Sequence, residues 1–566
     1  MQQTFSANSL SPLQKGKACV NCRRRKIVSH FTWWSELKAL KTSLKCDGGR
    51  PMCGPCSRYS AAFGDCEYTE GGQSNGQMLE EQISILQARI EELEKPPNQC
   101  LTLSMPHASG SRGIPVSAAP ISPSNTMGLG SLLSYFYQQQ TSGTAVHQNA
   151  LDSMPTELPF IVLQALVHNF LHNAGCFGFF LDAQAFHDAI TGPNGRNLPS
   201  VLLNVMYLWG VHLSQDERIT AYEPAFLAHA LRSTAGSLTG SHPRTILHSA
   251  QASVLLAYYF IRNARFLEGK YHTSAAVSIA VCAGLHRIRA APGSSGFTPT
   301  AETLSPPKDG LEEGERINAF WSIVTLNNCW TGTDGSPSNI AYGPDGLTID
   351  TPWPLETRDY VERPHLVPRY SSGSITRFLA DTPDDANSSA ALHAKAAVLF
   401  EAATSLGARY RANGISRNDT ELAVLDRKID VFVAALPTVQ SKTMLVVHTL
   451  AHAATVQVHN PLAKEHAFAR TKAVSAARSI VDILVKTDIP KVGLIDPVLA
   501  RLWKTTCFVF IAEVTRRRNQ GAETQGPTES LNIVIAAMQF FAPHFPIMTE
   551  QLESVRKACN AAQMGV

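Results

Sequence analysis

The sequence predicts a mostly α-helical protein with a small cysteine-rich head, a short parallel coiled coil, a disordered linker and a large all-α body. Three observations support this prediction. Six of the twelve cysteines lie between Cys19 and Cys66. Five apolar residues with heptad spacing follow this cluster. From about residue 156 onward, apolar residues recur at intervals of three and four, which indicates helices.

The length and composition exclude some classes of protein. With 566 residues the chain is too long for one hydrophobic core, so we expect a main domain with smaller modules attached. The N-terminus is polar and lacks the apolar core of a secretory signal. The longest uncharged run, 158–181, contains five polar side chains, whereas a membrane span needs about 20 mostly apolar residues. We therefore expect a buried amphipathic helix in this run and no membrane partner.

The charge of the chain is concentrated in its head. Residues 1–70 hold eleven Lys and Arg against five Asp and Glu, although the whole chain carries a net charge of only +3. A basic head on a near-neutral body suggests a polyanionic partner for the head. Charge alone is also compatible with a solvated tail.

The clustered cysteines have the spacing of zinc ligands. Two C-x2-C pairs occur within 40 residues, and the short spacing lets both sulfurs of a pair converge on one tetrahedral zinc. Six thiolates are too few for two separate four-cysteine sites, but they suffice for two zinc ions if two sulfurs bridge. The predicted metal ligands are Cys19, Cys22, Cys46, Cys53, Cys56 and Cys66.

The other six cysteines are scattered through apolar or linker sequence. We expect unpaired, buried thiols of a reduced compartment at these positions. They are Cys100, Cys176, Cys282, Cys329, Cys507 and Cys559.

The cysteine cluster resembles the fungal binuclear zinc cluster DNA-binding domain. The resemblance rests on KACVNCRRRK at 17–26, KCDGGRPMCGPC at 45–56, and Cys66. It implies a zinc cluster domain over 15–70 that binds two zinc ions, preceded by a disordered N-terminus over 1–14. It also implies a nuclear, sequence-specific regulator of RNA polymerase II genes that reads CGG-type half-sites in double-stranded DNA and contacts the transcription machinery.

The chain departs from the family between the second and third cysteines, where it has twenty-three residues and the family has six. Deleting residues 28–44 gives CRRRKIKCDGGRPMC, which fits the family closely. One interpretation is a translated intron or another gene-model error, since Val28-Ser29 is what a common splice donor would encode. However, an in-frame intron over this segment must end in AG, and no codon for Leu44 does.

A genuine inserted loop is the alternative interpretation. Lengthening the loop from six to twenty-three residues costs only about 1 kcal/mol in closure entropy. Structural zinc binding supplies roughly 10–16 kcal/mol. The cluster could therefore still form. However, the basic helix and Lys45 would be less well oriented towards DNA, because Lys45 would no longer follow the helix directly. Trp33 and Trp34 would lie beside the DNA-facing surface.

The resemblance places a short DNA-reading helix directly after the second cysteine. Arg25 and Lys26 are the candidates for base contacts, because Arg and Lys commonly donate to O6 and N7 of guanine. The other basic residues are expected to hold phosphates, which fix register without reading sequence. These phosphate candidates are Lys17, Arg23, Arg24, Lys45 and Arg58. A surface charge run that binds nothing is the alternative.

A heptad pattern over 79–95 follows a short linker, 71–78. Isoleucine at the a positions and leucine at the d positions favours parallel dimers. We therefore expect a homodimer that pairs two half-sites, although a helix docked on its own chain would show a similar pattern. The predicted dimer contacts are Leu79, Ile83, Leu86, Ile90 and Leu93.

The rest of the chain comprises a linker and the body. Residues 96–155 are rich in Pro, Ser and Gly, which predicts a disordered linker.

Residues 156–566 have helical periodicity. FLEGKYHTSAAVSIAVCAGLHRI and GERINAFWSIVTLNNCWTGTDGSPSNI resemble the fungal-specific transcription factor regulatory domain, most clearly over 156–420. Helix packing rather than a ligand pocket explains the small residues Ala275, Ala276, Ala280 and Gly284.

Two other function classes are alternatives to a DNA-binding regulator. No H-E-x-x-H, G-x-S-x-G or phosphate loop occurs, so we expect no enzyme and no catalytic residue. Asp182, His187 and Asp188 are close in sequence, but their pattern fits the polar face of a helix. The remaining alternative is a regulatory protein whose head is disabled by the insert and which acts only through protein partners.

Overall fold

The computed structural model describes most of the predicted body. The described residues are 160–191, 200–238, 243–291, 304–335, 338–341, 346–413 and 420–564. They are mostly helical and include no β-strand; one isolated parallel bridge joins Ala290 and Ser371. The prediction of a helical body is thus confirmed over this part of the chain. The predicted zinc cluster, linkers and coiled coil lie outside it.

The α-helices of the described residues are numbered here in chain order. They are α1 (Phe160–Leu171), α2 (Ala183–Thr191), α3 (Ser200–His212), α4 (Glu217–Thr220), α5 (Glu223–Ala235), α6 (Pro243–Arg262), α7 (Phe266–Cys282), α8 (Gly310–Asp334), α9 (Asp359–Glu362), α10 (Ser374–Leu379), α11 (Ser389–Asn413), α12 (Glu421–Ala435), α13 (Lys442–His459), α14 (Ala467–Lys486), α15 (Ile489–Val492), α16 (Val498–Asn519), α17 (Gln525–Phe541) and α18 (Pro546–Ala561). Short 3₁₀ turns follow several of them, for example Ala174–Cys176 after α1.

Helix α6 lies at the centre of the helical packing. All its residues from 247 to 262 are buried, which is expected of a helix covered on every side. It packs against α3, α7 and α8, while α11 packs between α8 and α13. The indole N–H groups of two buried tryptophans donate to main-chain oxygens: Trp209 to Leu255 at 3.1 Å, and Trp321 to Pro352 at 2.6 Å. These hydrogen bonds satisfy polar atoms that burial would otherwise leave unpaired.

Two helix pairs cross with their backbones in contact, and each crossing depends on a glycine. A Cβ atom on Gly210 of α3 would lie 2.2 Å from the carbonyl oxygen of Leu166 in α1. The Asn169 side chain in α1 also donates to the Gly210 carbonyl oxygen, at 2.9 Å. In the same way, a Cβ atom on Gly407 of α11 would lie 2.4 Å from the carbonyl oxygen of Gln457 in α13. Only glycine permits approaches this close.

The helix predicted over 158–181 is shorter than expected. Helix α1 ends at Leu171, and apart from the short 3₁₀ turn Ala174–Cys176 the chain continues without helix to residue 182. Gly178 has a φ of 66°, and its carbonyl oxygen accepts hydrogen bonds from Gln251 and Ser322. The Phe180 N–H donates to the Gln251 side chain at 2.8 Å. Hydrogen bonds to α6 and α8 therefore replace those of a helix, which local periodicity could not reveal.

The five described cysteines of the scattered set are all free thiols. Cys329, Cys507 and Cys559 are buried, as predicted, and Cys176 is half-buried. The prediction of burial is wrong for Cys282, which is exposed. Cys282 lies on the solvent-facing side of α7, which also carries the exposed residues Tyr271 and Ser278.

The small residues of α7 have two different roles. Ala276 and Ala280 are buried and belong to the core, in agreement with a packing role, whereas Ala275 is half-buried. Gly284 has a φ of 73° in the turn that follows the helix, a left-handed conformation that favours glycine. In the described part of the chain, no helix is both long and apolar enough to cross a membrane.

Candidate functional site

The site residues predicted from sequence all lie in the first 95 residues, outside the described part of the chain. Their arrangement stays a prediction. The described residues contain no group of three or more His, Cys, Asp or Glu side chains that could hold a metal ion. The residues concerned are the six cysteine ligands, the basic residues Lys17, Arg23, Arg24, Arg25, Lys26, Lys45 and Arg58, and the heptad residues Leu79, Ile83, Leu86, Ile90 and Leu93.

The Asp182, His187 and Asp188 set lies at helix α2. The Asp182 carboxylate accepts a hydrogen bond from the Ala185 N–H at 2.6 Å, as a residue at a helix start does. His187 Nδ1 is 3.6 Å from Asp188 Oδ1, and both side chains are well exposed. This geometry fits the predicted polar helix face.

The described body contains a cleft of about 270 Å³ lined by polar and aromatic side chains. The lining residues come from α6, α8, and the first turns of α11 and α13, together with the segments before α2, α9 and α16. Tyr258 of α6 and Asp496 form its buried side, while Glu356 is exposed. The other polar side chains that line it are Asn318, Ser322, Thr325, Thr357, Ser389, His393 and Thr443.

Asp496 is held at the start of α16. Its Oδ1 accepts a hydrogen bond from the Val498 N–H at 2.8 Å, and Pro497 needs no partner because it has no N–H. Burial raises the pKa of the Asp496 carboxyl to about 7. The hydrogen bonds from Val498 and from the Tyr258 hydroxyl favour the ionised form and partly oppose this shift. The carboxyl can therefore gain or lose a proton near neutral pH.

His393 lines the cleft and has an unsatisfied polar atom. Its Nε2 is shielded from solvent and has no hydrogen-bond partner among the described residues. Burial lowers the pKa of the imidazole to about 4, so the ring is neutral near pH 7. A neutral imidazole nitrogen donates or accepts a hydrogen bond according to its tautomer. An unpaired buried polar atom costs about 1–3 kcal/mol, and a bound polar group would remove that cost.

Hydrogen bonds hold one wall of the cleft, the segment 354–357, in place. The Leu355 N–H donates to the Tyr360 hydroxyl at 2.9 Å, and the Ser388 hydroxyl donates to the Pro354 carbonyl oxygen at 2.6 Å. The Glu356 carboxylate accepts from the Ser389 N–H at 3.0 Å, at the first turn of α11. The opposite wall is the Gly178 turn, which Gln251 and Ser322 hold. The cleft is therefore formed before anything binds.

The charge of the cleft has one sign. Asp496 and Glu356 are acidic, and no Lys or Arg is among the lining residues. A separate groove of about 610 Å³ carries the neighbouring lysines Lys442, Lys486 and Lys491, all of which are exposed. The cleft is thus suited to a neutral or cationic group and disfavours an anion.

Sequence reasoning missed Tyr258, His393 and Asp496. The Asp496-Pro497 pair carries one readable signal, because Asp followed by Pro is typical of a helix start. It indicates α16 but not the cleft. The other two residues lie within helical patterns that predict only a core.

Comparison with known proteins adds no relative. The chain matches no protein-family model and no curated protein sequence.

Proposed function

We propose that this protein is a zinc-dependent, sequence-specific DNA-binding regulator of RNA polymerase II genes that acts in the nucleus as a homodimer. The observation that carries the proposal is the six-cysteine spacing around the basic run 23–26. The helical body supports it, because the family that the head resembles has a helical regulatory domain behind its zinc cluster.

In this proposal the zinc ions have a structural role. The two C-x2-C pairs, with Cys46 and Cys66, supply six thiolates, the donors that structural zinc prefers. Zinc binding would fix the short helix that carries Arg25 and Lys26. These two side chains would contact guanines, and the flanking basic residues would hold phosphates.

Metal analysis of the full-length protein, purified under reducing conditions, tests the zinc cluster. We expect two zinc ions per chain. Cys22→Ser should lower this content, whereas Cys282→Ser should not, because Cys282 is an exposed free thiol of the helical body. One zinc or none in the parent chain would contradict the proposed cluster.

Titration of labelled duplexes at fixed salt tests DNA reading. The protein should prefer a duplex with paired CGG triplets over a scrambled one, and a chelator should abolish the preference. Arg25→Gln should cost about 1–3 kcal/mol of specific binding. Lys557→Gln, which removes an exposed charge from α18, is the matched control. A zinc-loaded protein with equal affinity for both duplexes would favour a regulator that acts only through protein partners.

A further inference from the structure

We propose that the cleft between Tyr258, His393 and Asp496 binds a small organic cation, a primary amine with a compact apolar body. The amine would pair with the Asp496 carboxylate, and the His393 imidazole would hydrogen-bond a second polar group of the ligand. The proposal concerns the helical body alone and does not depend on whether the head binds DNA.

The charge of the lining residues selects a cation. An ammonium group near Asp496 would meet one buried carboxylate and, towards the exposed side, that of Glu356. His393 adds no positive charge because its ring is neutral. An anion of the same size would meet two carboxylates and no cationic partner. Buried charges need an opposite charge to offset desolvation, so this difference decides selectivity.

The size and surface of the cleft select a compact molecule. A volume of about 270 Å³ lies just below the range of about 300–1,000 Å³ that is usual for ligand pockets. Phe179, Phe180, Tyr258 and Trp321 contribute to the lining. Aromatic surface accommodates an apolar body, and ring faces also attract cations. An amine that carries one aromatic ring system meets both requirements.

Asp496 already accepts hydrogen bonds from the Val498 N–H and from the Tyr258 hydroxyl, which bears on its ability to bind an ammonium group. One of its oxygens accepts the hydrogen bond from Val498, and each carboxylate oxygen offers two acceptor positions. An ammonium group can thus bind without displacing the main-chain hydrogen bond that starts α16. Pairing with the amine would favour the ionised carboxylate, so binding near pH 7 should release a proton.

Three probes with the same indole ring test the charge selectivity: tryptamine, its neutral alcohol analogue tryptophol, and the anion indole-3-acetate. The readouts are the melting temperature of the full-length protein and isothermal titration calorimetry. Tryptamine should raise the melting temperature in a concentration-dependent way. Tryptophol should have a smaller effect, and indole-3-acetate none. Calorimetry in two buffers with different ionisation enthalpies should show the released proton.

Two variants separate binding at the cleft from a general effect on the fold. Asp496→Asn keeps a side-chain oxygen for the Val498 N–H and removes the charge, and it should weaken tryptamine binding about tenfold or more. Ala390→Leu places bulk in the cleft without changing any charge and should also weaken binding. Asp488→Asn, which changes an exposed carboxyl at α15, is the matched control and should bind like the parent.

The proposal has clear contrary outcomes. It fails if tryptamine has no effect up to its solubility limit, or if indole-3-acetate stabilises the protein as much as tryptamine does. It also fails if Asp496→Asn and Ala390→Leu both bind tryptamine like the parent. None of these results bears on the zinc content or the DNA preference of the head, so failure of the proposed function would be recognised separately.

Discussion

The guanidinium of Arg262 donates from Nε to Nε2 of His212, 3.1 Å away. Arginine has no hydrogen-bond acceptor, so Nε2 of His212 must accept. The other ring nitrogen, Nδ1, therefore carries the hydrogen and donates it in a hydrogen bond to the Glu223 carboxylate at 2.8 Å. Tyr259 also donates to Glu223, at 2.6 Å, and Arg262 reaches the His544 carbonyl oxygen at 2.9 Å. One buried network thus joins α3, α5 and α6 to the turn before α18.

Removing the cation from this network should destabilise the helical body. Arg262→Leu would leave His212 Nε2 and the His544 carbonyl oxygen without donors, and would end the stacking of the guanidinium on Phe545. We expect the free energy of unfolding to fall by about 3 kcal/mol, measured by urea denaturation. Arg218→Leu, which breaks an exposed pair with Asp216, should have little effect. If both variants lost the same free energy of unfolding, the network would stabilise the body no more than an exposed ion pair does.

The α1–α3 crossing should not tolerate a side chain at Gly210. Gly210→Ala would bring Cβ against the Leu166 carbonyl oxygen, and moving the helices apart should cost about 1–3 kcal/mol. Gly236→Ala is the matched control, since a Cβ atom there meets nothing within 4 Å. Melting temperatures of the two variants should therefore differ, with only Gly210→Ala lowered. A Gly210→Ala variant as stable as the parent would contradict the close crossing.

Asp496 should make stability depend on pH. Its pKa is about 7 in the folded protein against an ordinary value of 3.8, so between these values the folded state holds a proton that the unfolded chain has released. The contribution of this carboxyl to the free energy of unfolding is therefore fully present below about pH 4. It is lost as the pH rises through 7. The neighbouring titratable groups Tyr258, Cys176 and Cys329 all have raised pKa values and stay neutral over this range.

The Asp496→Asn variant checks this dependence. The difference in the free energy of unfolding, variant minus parent, should grow in favour of the variant between pH 5 and pH 7, by about 1 kcal/mol per pH unit. Urea denaturation at several pH values measures it, with Asp488→Asn as the control. A difference that stays constant with pH would mean that the Asp496 carboxyl titrates alike in the folded and unfolded chain.

The segment 28–44 should affect DNA recognition more than zinc binding. We expect the form without it to bind paired CGG sites well, and the form with it to bind them poorly at equal zinc content. The loop costs about 1 kcal/mol, far less than zinc supplies, whereas specific recognition exceeds non-specific binding by only about 4–10 kcal/mol. Salt-sensitive binding to a scrambled duplex should persist in both forms. Equal specific affinity would identify the segment as a tolerated loop.

The heptad residues should be responsible for dimerisation. Ile83→Lys combined with Ile90→Lys would place charges in the predicted a layer and should give monomers. Analytical ultracentrifugation of the full-length protein measures the change. Val424→Lys with Val431→Lys, at exposed positions of α12 with the same spacing, is the matched control and should leave the assembly unchanged. If the heptad variant sediments like the parent, another surface forms the dimer.

Periodicity predicted the helical body but not the ends of its helices. Apolar spacing reports which residues can face a core, and the described residues from Phe160 onward are accordingly mostly helical. The run 158–181 contains enough apolar residues for one long helix, yet among its described residues the α-helix ends at Leu171. The glycine at 178 and the side chain of Gln251 decide this, and Gln251 belongs to a distant part of the sequence.

The cleft could not be predicted because its residues come from separate helices. Tyr258 and His393 lie in helical patterns that indicate packing, Asp496 lies in a helix-start signal, and only the fold brings the three residues to one space. The metal and DNA contacts predicted for the head are the opposite case. The zinc ligands are predicted from the local spacing of the cysteines, and the DNA contacts are what the resemblance to the zinc cluster family implies.

The carboxyl of Asp496 has two tasks, since it lines the cleft and also receives the first free amide of α16. Helix α16 contains the fully buried Trp503 and packs against α17 and α18. The occupancy of the cleft is therefore energetically linked to the fraying of this helix. If the cleft binds an amine as proposed, the rate at which the Val498 amide exchanges with solvent deuterium should change on binding, and this exchange can be measured without any label on the ligand.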